Sequence, residues 1–129
     1  MEAAKRMYEV SITSRFSAAH QLKEFKGGCE RLHGHNWKVE VTVGCTSLDE
    51  AGLVMDFREL KRHTGEVLDV LDHNFLNELE PFQSMNPSSE NIARYLFDTL
   101  SSRINNDRLK VSRVKAWESE DSCACYSGS

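Results

Sequence analysis

The sequence predicts an α+β fold, an antiparallel sheet with two helices on one face. Three observations predict it. Residues 8–19 and 36–46 alternate apolar and polar side chains with the period of a half-buried strand. Residues 56–71 and 88–104 repeat apolar side chains at helical spacing. The predicted strands are joined mainly by short turn-like stretches, which favours hairpins over parallel crossovers.

Residues 1–6 read as a frayed start. In the first strand Tyr8, Val10, Ile12, Ser14, Phe16, Ala18 and His20 share one face, so His20 ends the strand on the side that is apolar upstream. Ser14 weakens that pattern, and a bulge would reverse the parity. Residues 21–32 form a loop with Gly27-Gly28 just before Cys29. The second strand places Trp37, Val39, Val41, Val43 and Cys45 on its core face. After a polar turn at 47–52, the apolar Leu53-Val54-Met55 is expected to pair back as a short third strand. Asp56 and Glu59 fit a helix cap, followed by a buried stripe of Phe57, Leu60, Thr64, Val67, Leu68 and Leu71. His63 lies beside the stripe. Ser88 or Ser89 caps the second helix, whose stripe is Ile92, Leu96, Leu100 and Ile104. Residues 109–117 read as a strand in which Val111 and Val114 differ by three. A bulge, or a sheet covered on both faces, would explain that spacing. Residues 123–126 form a last short strand.

The chain of 129 residues is long enough for one domain, 1–129, with a real core. The net charge of -4 and the absence of a basic run disfavour nucleic acid as a partner. A small anion could still meet Arg15, Lys23, Lys26 and Arg31. No stretch has the length of a membrane span and the start lacks a signal-peptide core, so a cytoplasmic protein with reduced cysteines is expected. Cys29, Cys45, Cys123 and Cys125 lack zinc-knuckle spacing. Cys123-x-Cys125 reads either as a soft-metal pair or as two thiols of the terminal strand.

The densest chemistry lies in Cys29-Glu30-Arg31-Leu32-His33-Gly34-His35. Extending the strand parity backward puts His33 and His35 on the apolar face, spaced to grip one ion. His20 is the candidate third ligand. Three histidines around Zn²⁺ leave a fourth position open, as in catalytic sites. Asp72-His73 at a helix exit reads either as a cap compensating the helix dipole or as a general base oriented by a carboxylate.

Phe16-Ser17-Ala18-Ala19-His20, Cys29-x-x-x-His33-Gly34-His35, Leu71-Asp72-His73, Pro87-Ser88-Ser89-Glu90-Asn91 and Trp117-Glu118-Ser119 occur in that order. Together they resemble the 6-pyruvoyl-tetrahydropterin synthase family over nearly the whole chain. The resemblance implies the tunnelling fold, with four strands and two helices per subunit. Three subunits close a barrel, and two trimers stack into a homohexamer with active sites between subunits. It also implies Zn²⁺ on His20, His33 and His35 and the substrate 7,8-dihydroneopterin triphosphate. Cys29 would abstract a side-chain proton, and Asp72 and His73 would relay protons. Glu118 would anchor the pterin or join the relay, with Ser88, Ser89 and Glu90 near the ring. The short Cys29 to His33 spacing resembles the branch that forms 6-carboxy-5,6,7,8-tetrahydropterin, triphosphate and acetaldehyde for queuosine synthesis. A longer insertion there marks the branch that makes the 6-pyruvoyl product. Glu30 fits a further branch that yields 6-hydroxymethyl-7,8-dihydropterin for folate synthesis, so dual activity is an alternative. Glu30 as an ordinary loop carboxylate is equally open. Two non-catalytic readings remain, a pterin-binding member without turnover and a structural zinc domain. The intact set of catalytic residues argues against the first. The lack of a fourth protein ligand near the three histidines argues against the second.

Overall fold

The computed structural model describes residues 6–23 and 31–128. The expectations for residues 1–5, Lys26, Cys29 and Glu30 lie outside the described residues. Four strands, β1 (Tyr8–His20), β2 (His33–Cys45), β3 (Lys110–Ser119) and β4 (Ser122–Ser127), pair antiparallel in the order β1-β2-β3-β4. Helices α1 (Phe57–Leu71) and α2 (Ser89–Ile104) pack on the sheet, α1 against β1 and α2 against β3 and β4. Among the described residues, no helix is long and apolar enough to cross a membrane.

The pairing of β1 with β2 runs without a break from Tyr8↔Cys45 to His20↔His33. With no bulge, the parity read from the sequence holds to the strand end. Ile12, Phe16, Ala18 and His20 are buried opposite the fully buried Trp37, Val39, Val41 and Val43. The irregularity expected in the fourth predicted stretch is a bulge. Thr42 pairs with Arg113 and Val43 with Val111, so Ser112 is the extra residue of β3. Gly44 lies beside it, where an added Cβ would come within 2.9 Å of Ser112 Oγ and 3.3 Å of the Tyr8 carbonyl.

Asp56 caps α1 by accepting from the Arg58 N–H, and Ser88 caps α2 by accepting from the Asn91 N–H. The α2 stripe is buried as expected, with Ala93 added. In α1 the stripe runs Leu60, Thr64, Val67, Leu68, Leu71. Phe57, expected within it, is instead 53% exposed at the first helical position.

The third predicted strand does not form. Val54 and Met55 are buried, but as a loop lid on the core. Their apolar character reflects packing, and Arg108 takes the carbonyls a partner strand would have used. Its guanidinium donates to Ser47 O (3.1 Å), Leu53 O (3.4 Å) and Val54 O (2.9 Å). The bond to Val54 O is partly buried, and charge-assisted bonds of this kind are worth more than neutral ones. Arg108→Met should therefore lower unfolding stability in urea by about 2 kcal/mol. A loss below about 0.5 kcal/mol would mean that Val54 and Met55 hold the loop by packing alone.

Candidate metal centre and catalytic cleft

His20 and His33 face each other as a cross-strand pair, and His35 lies two residues along β2 opposite Ala18. Because side chains alternate, all three imidazoles rise from one face of the β1–β2 ribbon. Their ring centroids are 5.1, 5.0 and 4.5 Å apart. Trp37 backs the cluster edge-to-face against His20 and His35, and Phe16 stacks on Trp37. This aromatic wall fixes the ring planes and keeps the buried side of the cluster apolar.

Two backbone carbonyls set the tautomers. Pro87 O accepts from His20 Nδ1 at 2.8 Å, and Arg31 O accepts from His33 Nδ1 at 2.7 Å. A proton held on Nδ1 leaves the Nε2 lone pair for a ligand, the arrangement that metal-binding histidines use. Glu118 completes the group. Its Oε1 lies 3.0 Å from His20 Nε2 and 3.2 Å from His35 Nε2. One donor atom from each of His20, His33, His35 and Glu118 lies within 4.8 Å of the others. His20 Nε2 is a buried atom without a hydrogen bond of normal geometry. Three imidazoles and a carboxylate around an orphaned buried nitrogen fit a divalent ion of the Zn²⁺ type. The absence of a fourth protein ligand, expected from the sequence, is corrected by Glu118. The case against a purely structural metal now rests on the cleft that His35 borders.

Glu118 reaches the histidines through a second irregularity. In β3, Trp117 pairs with Cys123 and Ser119 with Ser122, so Glu118 is skipped in the ladder with β4. Bulges of this sort re-aim a side chain near a site.

Asp72 and His73 are both cap and pair. The Asp72 N–H closes α1 on Leu68 O. Asp72 Oδ1 accepts from the Ser17 N–H at 2.9 Å, and Oδ2 lies 3.0 Å from His73 Nδ1. His73 adopts φ 59°, in the left-handed region where glycine usually ends a helix, and its N–H donates to Ser17 O. A strained non-glycine residue at that position points to a use for its side chain. A cleft of about 450 Å³ is lined by Ser17, Gly34, His35, Asn36, His73 and Phe75, among others, so His35 and His73 border the same space.

Ser88 is the α2 cap, Ser89 its first residue, and Glu90 an exposed acid of its first turn. They follow Pro87, the partner of His20. His63 bonds Arg103 on the surface, away from the cluster. Cys123 and Cys125 are exposed on β4, and Cys45 is buried.

Sequence reasoning missed two asparagines. Asn77 pairs reciprocally with the Gln21 backbone, accepting at 2.9 Å and donating at 2.7 Å. Asn86 does the same with Lys23, at 2.8 and 2.7 Å. Each carboxamide substitutes for a peptide of a neighbouring strand, tying down the chain just beyond His20. Asn91 Nδ2 in turn donates to Asn86 O, which steadies the Pro87 carbonyl. The only sequence signal was a run of asparagines around two prolines, which reads equally as turns.

The family model described as 6-pyruvoyl tetrahydropterin synthase matches residues 9–129. The chain belongs to the 6-pyruvoyl tetrahydropterin synthase family. It is an enzyme of that lyase family, whose fold the four strands and two helices reproduce. An Archaeoglobus fulgidus protein provisionally named 6-carboxy-5,6,7,8-tetrahydropterin synthase is 42% identical over 115 residues, 89% of this chain and 91% of that one. A Pyrococcus furiosus protein named dihydroneopterin monophosphate aldolase is 35% identical over 106 residues, 82% of this chain and 85% of that one. The solved structure of Caenorhabditis elegans 6-pyruvoyl tetrahydropterin synthase superposes with a TM-score of 0.80 at 28% identity, covering 99% of this chain and 100% of that one.

The Ser17 N–H on Asp72, with His73 beside it, holds the Asp72 carboxyl below the usual carboxylate range. A depressed native pKa means that the unfolded chain binds the proton first as pH falls. The charge of Asp72 therefore stabilises the fold above the unfolded value near 3.8 and stops doing so as pH drops through the native value. Asp72→Asn keeps an acceptor for Ser17 and removes only the charge. The gap in melting temperature between the two proteins should be present at pH 6 and close as pH falls below about 4. A gap that stays constant with pH would show that the charge is irrelevant to the pair.

Proposed function

We propose that this family member converts 7,8-dihydroneopterin triphosphate to 6-carboxy-5,6,7,8-tetrahydropterin, releasing triphosphate and acetaldehyde, in the cytoplasmic route to queuosine. The observation that carries the reading is the group of His20, His33, His35 and Glu118 that could hold a metal ion, with His35 and His73 bordering one cleft. The relatives named as 6-carboxytetrahydropterin synthases support the choice of product.

His20, His33 and His35 would hold Zn²⁺, which when bound would polarise side-chain hydroxyls of the substrate and lower their pKa. Cys29, as thiolate, takes a proton from the substrate side chain. His73 keeps Nδ1–H toward Asp72, so its Nε2 is left to exchange protons with substrate in the cleft, and Asp72 orients the ring. Of the two roles expected of Glu118, its contact with His20 and His35 supports the proton relay. The far edge of the pterin ring then falls to Glu90 with Ser88 and Ser89, a carboxylate being able to accept from the 2-amino group and ring N–H together.

The triphosphate needs cations. Arg15 and Lys38, a cross-strand pair on the helix-free face, line a second cleft with Trp117 and Asn36, and Asn36 borders both clefts. Their position supports them as the phosphate contacts. The hexamer is proposed on the sheet edges. β4 and most of β1 are outer strands, and such edges favour pairing with a second copy. Met7 and Tyr8, each about half exposed beside that edge, add apolar surface for the contact.

A second reading is favoured by the relative named an aldolase. Aldol cleavage of the same side chain would leave 6-hydroxymethyl-7,8-dihydropterin, with Glu30 as its base. Incubating the zinc-loaded protein with 7,8-dihydroneopterin triphosphate and identifying the pterins by mass spectrometry tests both. The expected product is 6-carboxytetrahydropterin with acetaldehyde. A 6-pyruvoyl product alone would overturn the branch assignment, and no turnover by the metal-loaded protein would leave a binding-only protein. Cys29→Ala should abolish the carboxy product. If hydroxymethylpterin survives in that variant, Glu30 serves a separate activity.

A further inference from the structure

We propose that Glu118 is a fourth, displaceable ligand of the ion held by His20, His33 and His35. The resting site is then closed by the protein itself and opens when the substrate side chain takes the carboxylate's place. This rests on reading the three histidines as a metal site.

Pro87 O and Arg31 O hold protons on Nδ1 of His20 and His33, so their Nε2 atoms present lone pairs. The Oε1 atom of Glu118 lies 3.0 Å from His20 Nε2 without the geometry of an N–H donor, and 3.2 Å from His35 Nε2. A carboxylate oxygen 3.0 Å from the His20 Nε2 lone pair is repelled unless a cation sits between them. The separations fit that cation. Two ligand atoms about 2.05 Å from a tetrahedral Zn²⁺ are about 3.3 Å apart. The skipped position of Glu118 in the β3–β4 ladder supplies the aim.

A closed four-ligand site cannot also polarise a substrate hydroxyl, because a catalytic ion needs an open position. The ring edge of a pterin lies at the opposite end of the bicycle from the side chain that would reach the ion. Glu118 therefore cannot serve the ring edge while it borders the ion. Its exchange partner is the side-chain hydroxyl. The displaced carboxylate remains beside that hydroxyl and accepts its proton, so no outside base is needed for the exchange.

The test compares wild type, Glu118→Gln, Glu118→Ala and His33→Ala. Metal-free proteins are titrated with Zn²⁺ against a chromophoric chelator, and the visible bands of Co²⁺-loaded proteins are recorded with and without neopterin. Thermal melts of the metal-free variants check folding. Both Glu118 variants should bind Zn²⁺ about 10- to 100-fold more weakly and show altered Co²⁺ bands. Neopterin should bring the wild-type bands to those of Glu118→Ala with neopterin. If the Glu118 variants match wild type in affinity and spectrum while His33→Ala loses metal, the inference falls and the metal site stands. Wild-type bands that do not respond to bound neopterin would overturn displacement. If wild type itself binds no metal, both this inference and the reading beneath it fall.

Discussion

The site depends on the unbroken antiparallel pairing of β1 with β2. From Tyr8↔Cys45 to His20↔His33 there are thirteen residue pairs and no register shift. One inserted residue anywhere along it would turn His20 to the opposite face from His33 and His35. The core packing of Ile12, Phe16 and Ala18 against Trp37, Val39 and Val41 therefore also aligns the three imidazoles. The pairs that bury the apolar face are the pairs that bring three rings to one point.

Alignment on strands gives direction, and polar anchors give chemistry. His20 is useful only with its proton on Nδ1, and that is decided by the Pro87 carbonyl at the entrance to α2. Pro87 is held in place by the cap at Ser88 and by Asn91 and Asn86 around the preceding carbonyl. The start of the second helix is thus tied to the end of the first strand. A change there would act on metal binding without touching the metal. The irregular elements sit where regular ones would fail, with a skipped residue at Glu118 and a left-handed residue at His73.

Strand parity made His20, His33 and His35 legible, because burial enforces a period of two and no bulge intervened. The helix caps at Asp56 and Ser88 were legible because a short polar side chain before an apolar stripe has few other uses. The Leu53-Val54-Met55 run was misread because buried apolar residues look alike in a strand and in a packed loop. What separated the two was Arg108, more than fifty residues away, occupying the carbonyls. Phe57 was misplaced because helical spacing does not fix which residue of the first turn still faces the core. Glu118 as a neighbour of the histidines was hidden in a ladder irregularity that no local pattern announces. The Asn77 and Asn86 clasps were hidden because a carboxamide replacing a strand is a long-range event.

The split between strands and connections bears on which reaction runs. His20, His33 and His35 stand on β1 and β2, while Asp72 and His73 follow the end of α1. An ion held by those strands would do the same thing in each proposed reaction, making a substrate hydroxyl more acidic. Which carbon–oxygen or carbon–carbon bond then breaks depends on where a base removes the next proton. In the proposed reactions that base is Cys29 for one product and Glu30 for the other. Under that proposal product identity would follow Cys29 and Glu30, and metal affinity the β1–β2 ribbon. Such a division would let chains with names as different as carboxytetrahydropterin synthase and dihydroneopterin monophosphate aldolase resemble this one over most of its length.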